Sequence, residues 1–506
     1  MDDQPNKTEK RVIIIGAGIA GLAAAIRLAT KGFSVRVFEA NEMAGGKMHE
    51  WHNEGFRFDM GPSVFTMPQY VEELFHLAGR RPEDYIELMR PSLPFNYFFD
   101  DGLVLNFYAD LEKLIRELTD KTQDDEATIR RFLQDIATKF ELTENVFLQN
   151  SLHVFANYLT KDVLKGLINF RKVEVFRSMD QANKRNFRDE HTIRLFNAFA
   201  SYLGSNPFKA PGVLNVISHF QLNAGIFLPT GGMYSIARAL VRLAEELGVS
   251  IRYNAPVERI LVKQGRAAGI QVGGEELTSD LVVSNIDVYN TYKHLLPQHK
   301  SPALLLNRQK SHSALVFLWG IKKSFPQLAL HNMMLSNDMK DEYNTVFLNA
   351  DVGDDFTVYL YISSKCNHSD APEGCENWYI LINAPHLQNQ DWDEITARVR
   401  ERLLKRLELI LGEDIAPHIA FEKVQDPRDH QQQTGAAFGA IYGNSLNGTF
   451  SVFLRHPNFT GRIKNLFFCG GTVHPGAGVP LSLLSAKITT GLIEKKSKRE
   501  AHAGIG

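Results

Sequence analysis

The chain has 506 residues, which is more than one hydrophobic core usually serves, so two interleaved domains are expected. A hydrophobic content of 44% and a charged content of 23% are typical of a globular protein, and a net charge of -2 gives no reason to expect nucleic acid as a partner. Its 3 cysteines are too few and too irregularly spaced for a disulfide framework or a zinc site, so we expect no metal centre.

The N-terminal segment is polar and runs directly into an apolar strand, which leaves no room for the apolar core of a secretory signal. No apolar run is long enough to span a bilayer, so we expect a cytoplasmic protein that can still lie on a membrane surface. The 33 phenylalanines fit a large core or an apolar tunnel.

The first strong motif follows a short β-branched run, Val12–Ile15, which is typical of a strand buried in a parallel sheet. Gly16, Gly18 and Gly21 then form GxGxxG, and a helix is expected from about Ala20 to Thr30. In such a motif the glycines allow a tight turn, a close approach to a pyrophosphate and close helix packing. The helix N-terminus supplies the anion site.

A second strand is expected over Ser34–Ala40, and it places Glu39 where a carboxylate can accept hydrogen bonds from a ribose. The competing interpretations are a Gly-rich turn without function and a membrane helix over Val12–Ala29. The complete order of strand, glycines, helix, strand and acid argues against the first. Arg27 and the glycines argue against the second.

A glycine doublet ending at Gly46 lies just past this acid and lets the chain fold back along a cofactor longer than a nucleotide, which favours FAD over NAD. Lys47 is expected either to meet a phosphate or flavin edge or to be a solvated surface lysine. Gly61, Pro62 and Ser63 form a tight turn that is expected to approach the same groove.

Helical spacing of apolar residues marks Tyr70–Ala78, Leu111–Asp120 and Thr128–Phe147. The segment Val146–Phe176 then combines many apolar residues with four basic ones. The basic residues are Lys161, Lys165, Arg171 and Lys172. Either an amphipathic membrane-contact surface or a helical cap packed on the protein explains this pattern.

A helix is expected to start at Pro229–Ser235 and to run to about Leu247. The chain is then expected to return to the nucleotide-binding domain. Its short strands are expected at Val249–Tyr253, Val257–Lys263, Ala267–Val272 and Asp280–Asn285. A region of longer strands comes next, followed by a helix over about Asp391–Leu411. Those strands are expected at Ala314–Ile321, Thr345–Asn349, Phe356–Ile362 and Trp378–Asn383.

The second strong motif is Asn465–Lys487, in which an apolar strand leads into Gly470 and Gly471, a Gly/Pro loop and a helix over about Pro480–Lys495. The helix N-terminus is expected to face the cofactor and to stabilise charge on the N1 side of a reduced flavin. Because the chain has one GxGxxG only, we expect that no nicotinamide cofactor reduces the flavin directly.

Together these motifs resemble the bacterial phytoene desaturase family of carotenoid oxidoreductases, and the match runs from the first strand to the last helix. The residues that carry it are the opening fingerprint, GFRFDMGPS, the central PTGGM with NAPVERI, and FFCGGTVHPGAGVPLSLLSAK. The last of these distinguishes the family from the wider amine oxidase group. Within the family the chain is most similar to desaturases of acyclic or 1-hydroxylated carotenoids.

The resemblance implies an α/β fold in which a Rossmann-type FAD-binding domain is interleaved with a mixed-sheet substrate domain and a helical cap. The expected FAD-binding domain comprises residues 11–90, 225–288 and 426–496. The expected substrate domain comprises residues 91–140, 207–224 and 289–425, and the cap comprises residues 141–206.

The resemblance also assigns roles to cofactor residues. It implies contacts of Gly16, Gly18 and Gly21 with the pyrophosphate, of Glu39 with the ribose and of the Val257 backbone with the adenine. The remaining implied contacts, to the flavin neighbourhood, pyrophosphate or ribitol, are those of Gly46, Lys47, Gly61, Pro62, Ser63, Gly470, Gly471 and Val479.

The reaction implied by the resemblance removes two hydrogens from adjacent carbons of a polyene tail, one of them as a hydride to the flavin. Positioning in a Phe-lined tunnel would then dominate catalysis. No motif identifies the proton acceptor. His219 is a candidate, although a lone histidine is more often structural.

The implied partners are a lipophilic carotenoid, the inner face of the cell membrane, and oxygen or a quinone as electron acceptor. Alternatives from related branches are a carotenoid cis-trans isomerase, an amine oxidase-like flavoenzyme and a non-enzymatic lipid-escort protein.

Overall fold

The computed structural model of the chain describes residues 10–144, 148–154 and 174–503. Two sheets organise these residues. The first has five parallel strands, in the spatial order Leu466–Phe468, Leu281–Ser284, Arg11–Ile15, Ser34–Phe38 and Ser250–Arg252. The carboxyl ends of parallel strands meet at one edge, so both glycine motifs and Glu39 are brought together there.

The second sheet has seven strands and is mixed, because His331–Met334 pairs parallel with Phe95–Phe98 while the other neighbours are antiparallel. Its spatial order is Ile419–Gln425, Ser313–Ile321, Glu376–Ala384, Val358–Tyr361, His331–Met334, Phe95–Phe98 and Val104–Phe107. One face packs on the helix Trp392–Leu411, and the opposite face turns toward the rest of the protein. This confirms the expected combination of an FAD-binding fold and a mixed-sheet fold.

Three small sheets complete the strands. They are Val257–Lys263 with Arg266–Val272 and Glu275–Thr278; His49–Asn53 with Phe56–Met60; and Leu88–Met89 with Leu228–Pro229. The longer helices are Ile19–Ala29, Gln69–Leu77, Leu111–Lys121, Glu126–Thr143, Met179–Asn186, Glu190–Ala198, Tyr234–Glu246, Trp392–Leu411, Pro427–Thr434 and Val479–Ala503. Shorter helices are Val216–Leu222, Val288–Asn290, Ala303–Leu306 and Met339–Asn344.

One expected strand is wrong. Thr345–Asn349 forms a π-helical turn that continues the helix Met339–Asn344. The cause is the cap at Asp338, whose side chain accepts hydrogen bonds from the backbone N–H groups of Lys340 and Asp341 and starts a helix ahead of the β-branched run. Local capping therefore outweighs the strand preference of the residues that follow.

Most of the proposed membrane-contact segment, Val146–Phe176, lies outside the described residues, including its four basic side chains. Within the described ranges, no helix combines the length and the apolar character that crossing a bilayer requires.

Candidate active site

The first glycine turn joins the strand Arg11–Ile15 to the helix Ile19–Ala29. Gly16 has a φ of +93°, and a Cβ on Gly21 would overlap the Gly16 carbonyl oxygen. Gly18 is the helix N-cap and has no side chain of its own to cap the helix, and no acidic residue lies in the first turn. This end of the helix therefore keeps backbone N–H groups for an anion.

Asn285, which sequence reasoning missed, links the two glycine motifs. Its Oδ1 accepts a hydrogen bond from the Gly21 N–H at 2.9 Å, and its Nδ2 donates to the Cys469 carbonyl at 3.1 Å. A Cβ on Gly470 would lie 2.7 Å from that Nδ2. The available signal was its place at the end of the expected strand Asp280–Asn285.

Glu39 lies beside the glycine turn and is only 6% exposed. Its carboxylate accepts hydrogen bonds from the backbone N–H groups of Ala17 at 2.7 Å and Asn41 at 3.0 Å. Ala255 donates to the Glu39 carbonyl at 2.8 Å, which brings the chain leading to Val257 alongside. A buried carboxylate next to a helix N-terminus that begins with a glycine is the donor and acceptor set that a dinucleotide fits.

The Gly46 and Gly61 segments pack against each other and against this turn. A Cβ on Gly46 would lie 3.2 Å from Cα of Gly18, and one on Gly61 would overlap the Lys47 carbonyl oxygen. Lys47 donates from Nζ to the Ile441 carbonyl at 2.6 Å, and burial lowers its pKa. The solvated-surface alternative for Lys47 is therefore wrong.

The second glycine motif, Asn465–Lys487, lies beside the first glycine turn. A Cβ on Gly471 would lie 3.2 Å from Cα of Ala477, and the Gly471 carbonyl accepts a hydrogen bond from Nη1 of Arg455 at 3.0 Å. Val479 is the first residue of the last helix.

A cavity of about 200 Å³, partly open to solvent, lies between these motifs and the seven-stranded sheet. Residues of both expected flavin motifs line it, namely Gly61, Pro62, Ser63, Gly478, Val479 and Pro480. Its sheet wall comprises Met333, Thr357, Tyr359, Leu381 and Asn383. The aromatic lining comprises Phe199, Phe220, Tyr202, Tyr359 and Tyr442. Among the described residues, tyrosine outnumbers phenylalanine in this lining, so the expected predominance of phenylalanine is not found there.

A short chain of hydrogen bonds crosses the sheet wall. The Tyr359 hydroxyl lies 2.7 Å from Oγ of Ser63 and 2.8 Å from Nδ1 of His331. The His331 ring stacks between Phe95 and Tyr361, and burial lowers its pKa to about 3. His331 is therefore neutral and holds Tyr359 in place against Ser63.

His219, the candidate proton acceptor from the sequence, is not among the residues that line the cavity. Its ring stacks on Phe140 with centroids 4.5 Å apart, and Nδ1 lies 2.8 Å from the Asn223 amide. Burial lowers its pKa. These contacts fit a structural role.

Comparison with known proteins bears directly on this site. Residues 19–493 match the family described as flavin containing amine oxidoreductase. The chain is 40% identical, over 96% of its length and 99% of the relative, to a 1-hydroxycarotenoid 3,4-desaturase of Flavobacterium sp. (strain P99-3). It is 36% identical to a 4,4'-diapolycopene oxygenase of Methylomonas sp., over 95% of this chain and 97% of that one.

The fold is also similar to the solved structure of cyclohexylamine oxidase from Brevibacterium oxydans IH-35A. The TM-score is 0.61 at 16% identity, covering 97% of this chain and 100% of that one. At that identity the likeness concerns the fold alone. The chain therefore belongs to the flavin containing amine oxidoreductase family, within its phytoene desaturase-type group of carotenoid enzymes, and is an FAD-dependent oxidoreductase.

Proposed function

We propose that the protein desaturates a carotenoid, removing two hydrogens from adjacent carbons of an acyclic or partly cyclised substrate, 1-hydroxylated ones included. The observation that carries this proposal is the cavity, because residues of both flavin motifs and of the seven-stranded sheet line the same largely apolar space. Such a cavity suits a polyene that offers few polar groups. The 40% identical relative, named as a desaturase of this kind, supports it.

FAD, when bound, supplies the hydride acceptor. In the proposal Gly16, Gly18 and Gly21 hold the pyrophosphate and Glu39 holds the ribose. The flavin neighbourhood is assigned to Gly46, Lys47, Gly61, Pro62 and Ser63, and the flavin ring to the backbone around Val479. Gly470 and Gly471 are assigned to the pyrophosphate or ribitol. Val257 is assigned to the adenine. The chain's own contribution to the chemistry is to orient the polyene and exclude water.

A second candidate function is terminal oxygenation, favoured by the 36% identity to a named diapolycopene oxygenase. Product mass separates the possibilities. Desaturation lowers the mass by two hydrogens, oxygenation adds oxygen, and isomerisation leaves the mass unchanged. The holoenzyme should be offered acyclic, monocyclic and hydroxylated carotenoids, and loss of two hydrogens from at least one supports the proposal. Products of unchanged or oxygenated mass alone would reject it.

A membrane surface is proposed as the source of substrate, because carotenoids partition into lipid. Two exposed aromatic side chains, one of them at the end of the Val146–Phe176 segment, support it. Phe176 is 71% exposed, Phe450 is 55% exposed, and their ring centroids lie 6.3 Å apart. Exposed aromatic residues of this kind insert into the boundary between headgroups and acyl chains.

A further inference from the structure

A buried carboxylate lies directly behind the cavity wall. Glu342, on the helix Met339–Asn344, is 2% exposed. Its Oε2 accepts a hydrogen bond from Oγ1 of Thr357 at 2.8 Å, and its Oε1 accepts one from Nδ2 of Asn383 at 3.1 Å. Thr357 and Asn383 both line the cavity. One side chain therefore separates the carboxylate from the space assigned to substrate.

The residues around Glu342 do not pair its negative charge with a positive one. Among the described residues, no lysine or arginine lies within ion-pair distance of its carboxylate. The carboxylate of Asp355 and the phenol of Tyr343 face it, and Asp355 is itself paired with Arg406 at 3.0 Å. Burial raises the pKa of Glu342, and Asp355 adds to this effect, while the hydrogen bonds from Thr357 and Asn383 oppose it. Burying an unpaired carboxylate costs free energy that a structural role does not require.

The sheet places Thr357, which contacts the Glu342 carboxylate, beside Tyr359. Val358 pairs with Ile382 and Tyr359 with Leu381, so Thr357 and Asn383 form the next rung on the same strands. Thr357 is two residues from Tyr359, and side chains two apart in a strand share a face. Tyr359 in turn contacts Ser63 of the first flavin motif.

We propose that Glu342 is the terminal proton acceptor of the desaturation and that Thr357 is the catalytic residue that connects it to the substrate. The inference rests on the proposed function. FAD, when bound, would supply the oxidant that takes a hydride from one substrate C–H bond. The adjacent C–H bond gives its proton to Oγ1 of Thr357, and its electron pair becomes the new double bond. The Thr357 hydroxyl proton passes to Oε2 of Glu342, which ends the step as a neutral carboxylic acid.

The alternative acceptor in the wall is His331 acting through Tyr359. That ring is enclosed by Phe95 and Tyr361, and its buried site strongly disfavours the imidazolium. A carboxylate becomes neutral when it takes a proton, whereas an imidazole becomes charged, so burial favours Glu342 as acceptor and opposes His331.

The test compares Glu342→Gln and Thr357→Val with the wild-type holoenzyme. Glu376→Gln is the matched control, because Glu376 is also 2% exposed but is paired with Lys365 at 2.6 Å. FAD content and carotenoid binding report whether the site is intact. Binding is measured by the absorption shift of the polyene. The rate of anaerobic flavin bleaching by bound carotenoid, measured across pH, reports the chemistry.

We expect unchanged FAD content and carotenoid affinity in both variants, with bleaching slowed about 100-fold or more, the usual contribution of a positioned base. The double variant should be no slower than the slower single one, since both residues serve one proton path. The wild-type rate should fall as pH is lowered through the raised pKa of Glu342, and this fall should be missing in Glu342→Gln. The control should bleach at the wild-type rate.

Stability gives a readout independent of turnover. Because the folded-state pKa of Glu342 is raised above its usual 4.5, the folded protein binds more protons than the unfolded chain between the two values. The free energy of unfolding contributed by this group therefore falls as pH rises through that window, and Glu342→Gln should remove this fall.

Bleaching of both variants within about threefold of wild type, with the same pH profile, would overturn the inference while leaving the proposed function standing. Wild-type holoenzyme that no carotenoid bleaches would reject the proposed function, and the inference with it.

Discussion

Arg57 and Asp370 lie 313 residues apart in the chain and form a buried two-pronged ion pair, with Nε–Oδ1 and Nη2–Oδ2 distances of 2.7 Å. Asp59 contacts the same guanidinium at 2.7 Å and accepts hydrogen bonds from the Met233 N–H and the Tyr361 hydroxyl. The GFRFDMGPS and PTGGM motifs are thus one structural unit, and this unit is fastened to the mixed sheet. Burial acts to lower the pKa of Arg57, but the two carboxylates raise it well above its usual value.

Breaking this unit should destabilise the protein. Asp370→Asn removes one of the two buried carboxylates that face Arg57 and leaves Asp59 in place, so we expect a loss of about 1–3 kcal/mol. The measurement is the free energy of unfolding by chemical denaturation. Glu401→Gln is the control, because the Glu401–Lys405 pair is exposed and its loss should change the free energy of unfolding far less. Equal losses in the two variants would show that the buried pair has no special role.

The cofactor assignment predicts that Gly21→Ala abolishes retention of FAD. A Cβ there would overlap the Gly16 carbonyl oxygen and lie 2.8 Å from Oδ1 of Asn285, so the turn cannot keep its shape. Flavin absorbance per protein after purification measures the effect. Gly491→Ala, in the last helix with nothing within 4 Å of the added methyl group, should retain FAD fully. Normal flavin content in Gly21→Ala would count against the assigned pyrophosphate site.

No nicotinamide cofactor is expected to reduce the flavin directly, because the chain carries one GxGxxG, which the proposal assigns to FAD. Anaerobic mixing of the holoenzyme with excess NADPH should leave the flavin absorption bands unchanged over the time in which a carotenoid bleaches them. Dithionite serves as the positive control for reducible flavin. Rapid bleaching by NADPH would reverse this prediction.

Membrane contact is expected to depend on the four basic residues of the Val146–Phe176 segment. Each basic residue near an anionic surface contributes about 1 kcal/mol, so replacing Lys161, Lys165, Arg171 and Lys172 with Glu should weaken liposome binding by orders of magnitude. Sedimentation with anionic liposomes measures binding, and FAD content should not change. If the variant sediments and turns over liposome-borne substrate like its parent, the segment is only a helical cap. Substrate would then enter the cavity at another place.

The cofactor side of the fold was predictable because its signals are local. Glycines at fixed spacing, an apolar strand before them and an acid after them specify a turn that only one geometry satisfies. The Pro229–Ser235 segment was recognisable for the same reason, although its link to Arg57 through Asp59 was not.

The substrate side was less predictable because its contacts are distant in sequence. Glu342 meets Thr357 and Asn383 only after the mixed sheet has formed, and an Asp338 cap had already replaced the expected strand over Thr345–Asn349 by a helical turn. His331 similarly contacts Tyr359 only through the pairing of the sheet strands. Neither residue stands in a motif of its own.

A single anaerobic turnover tests whether the protein is a carotenoid desaturase. The holoenzyme is mixed with one equivalent of an acyclic 1-hydroxylated carotenoid in liposomes, and flavin absorbance and product mass are recorded together. The account predicts that the flavin bleaches and that one carotenoid loses two hydrogens for each flavin reduced. A flavin that stays oxidised with every carotenoid offered, or one that bleaches without loss of two hydrogens from the polyene, would contradict it.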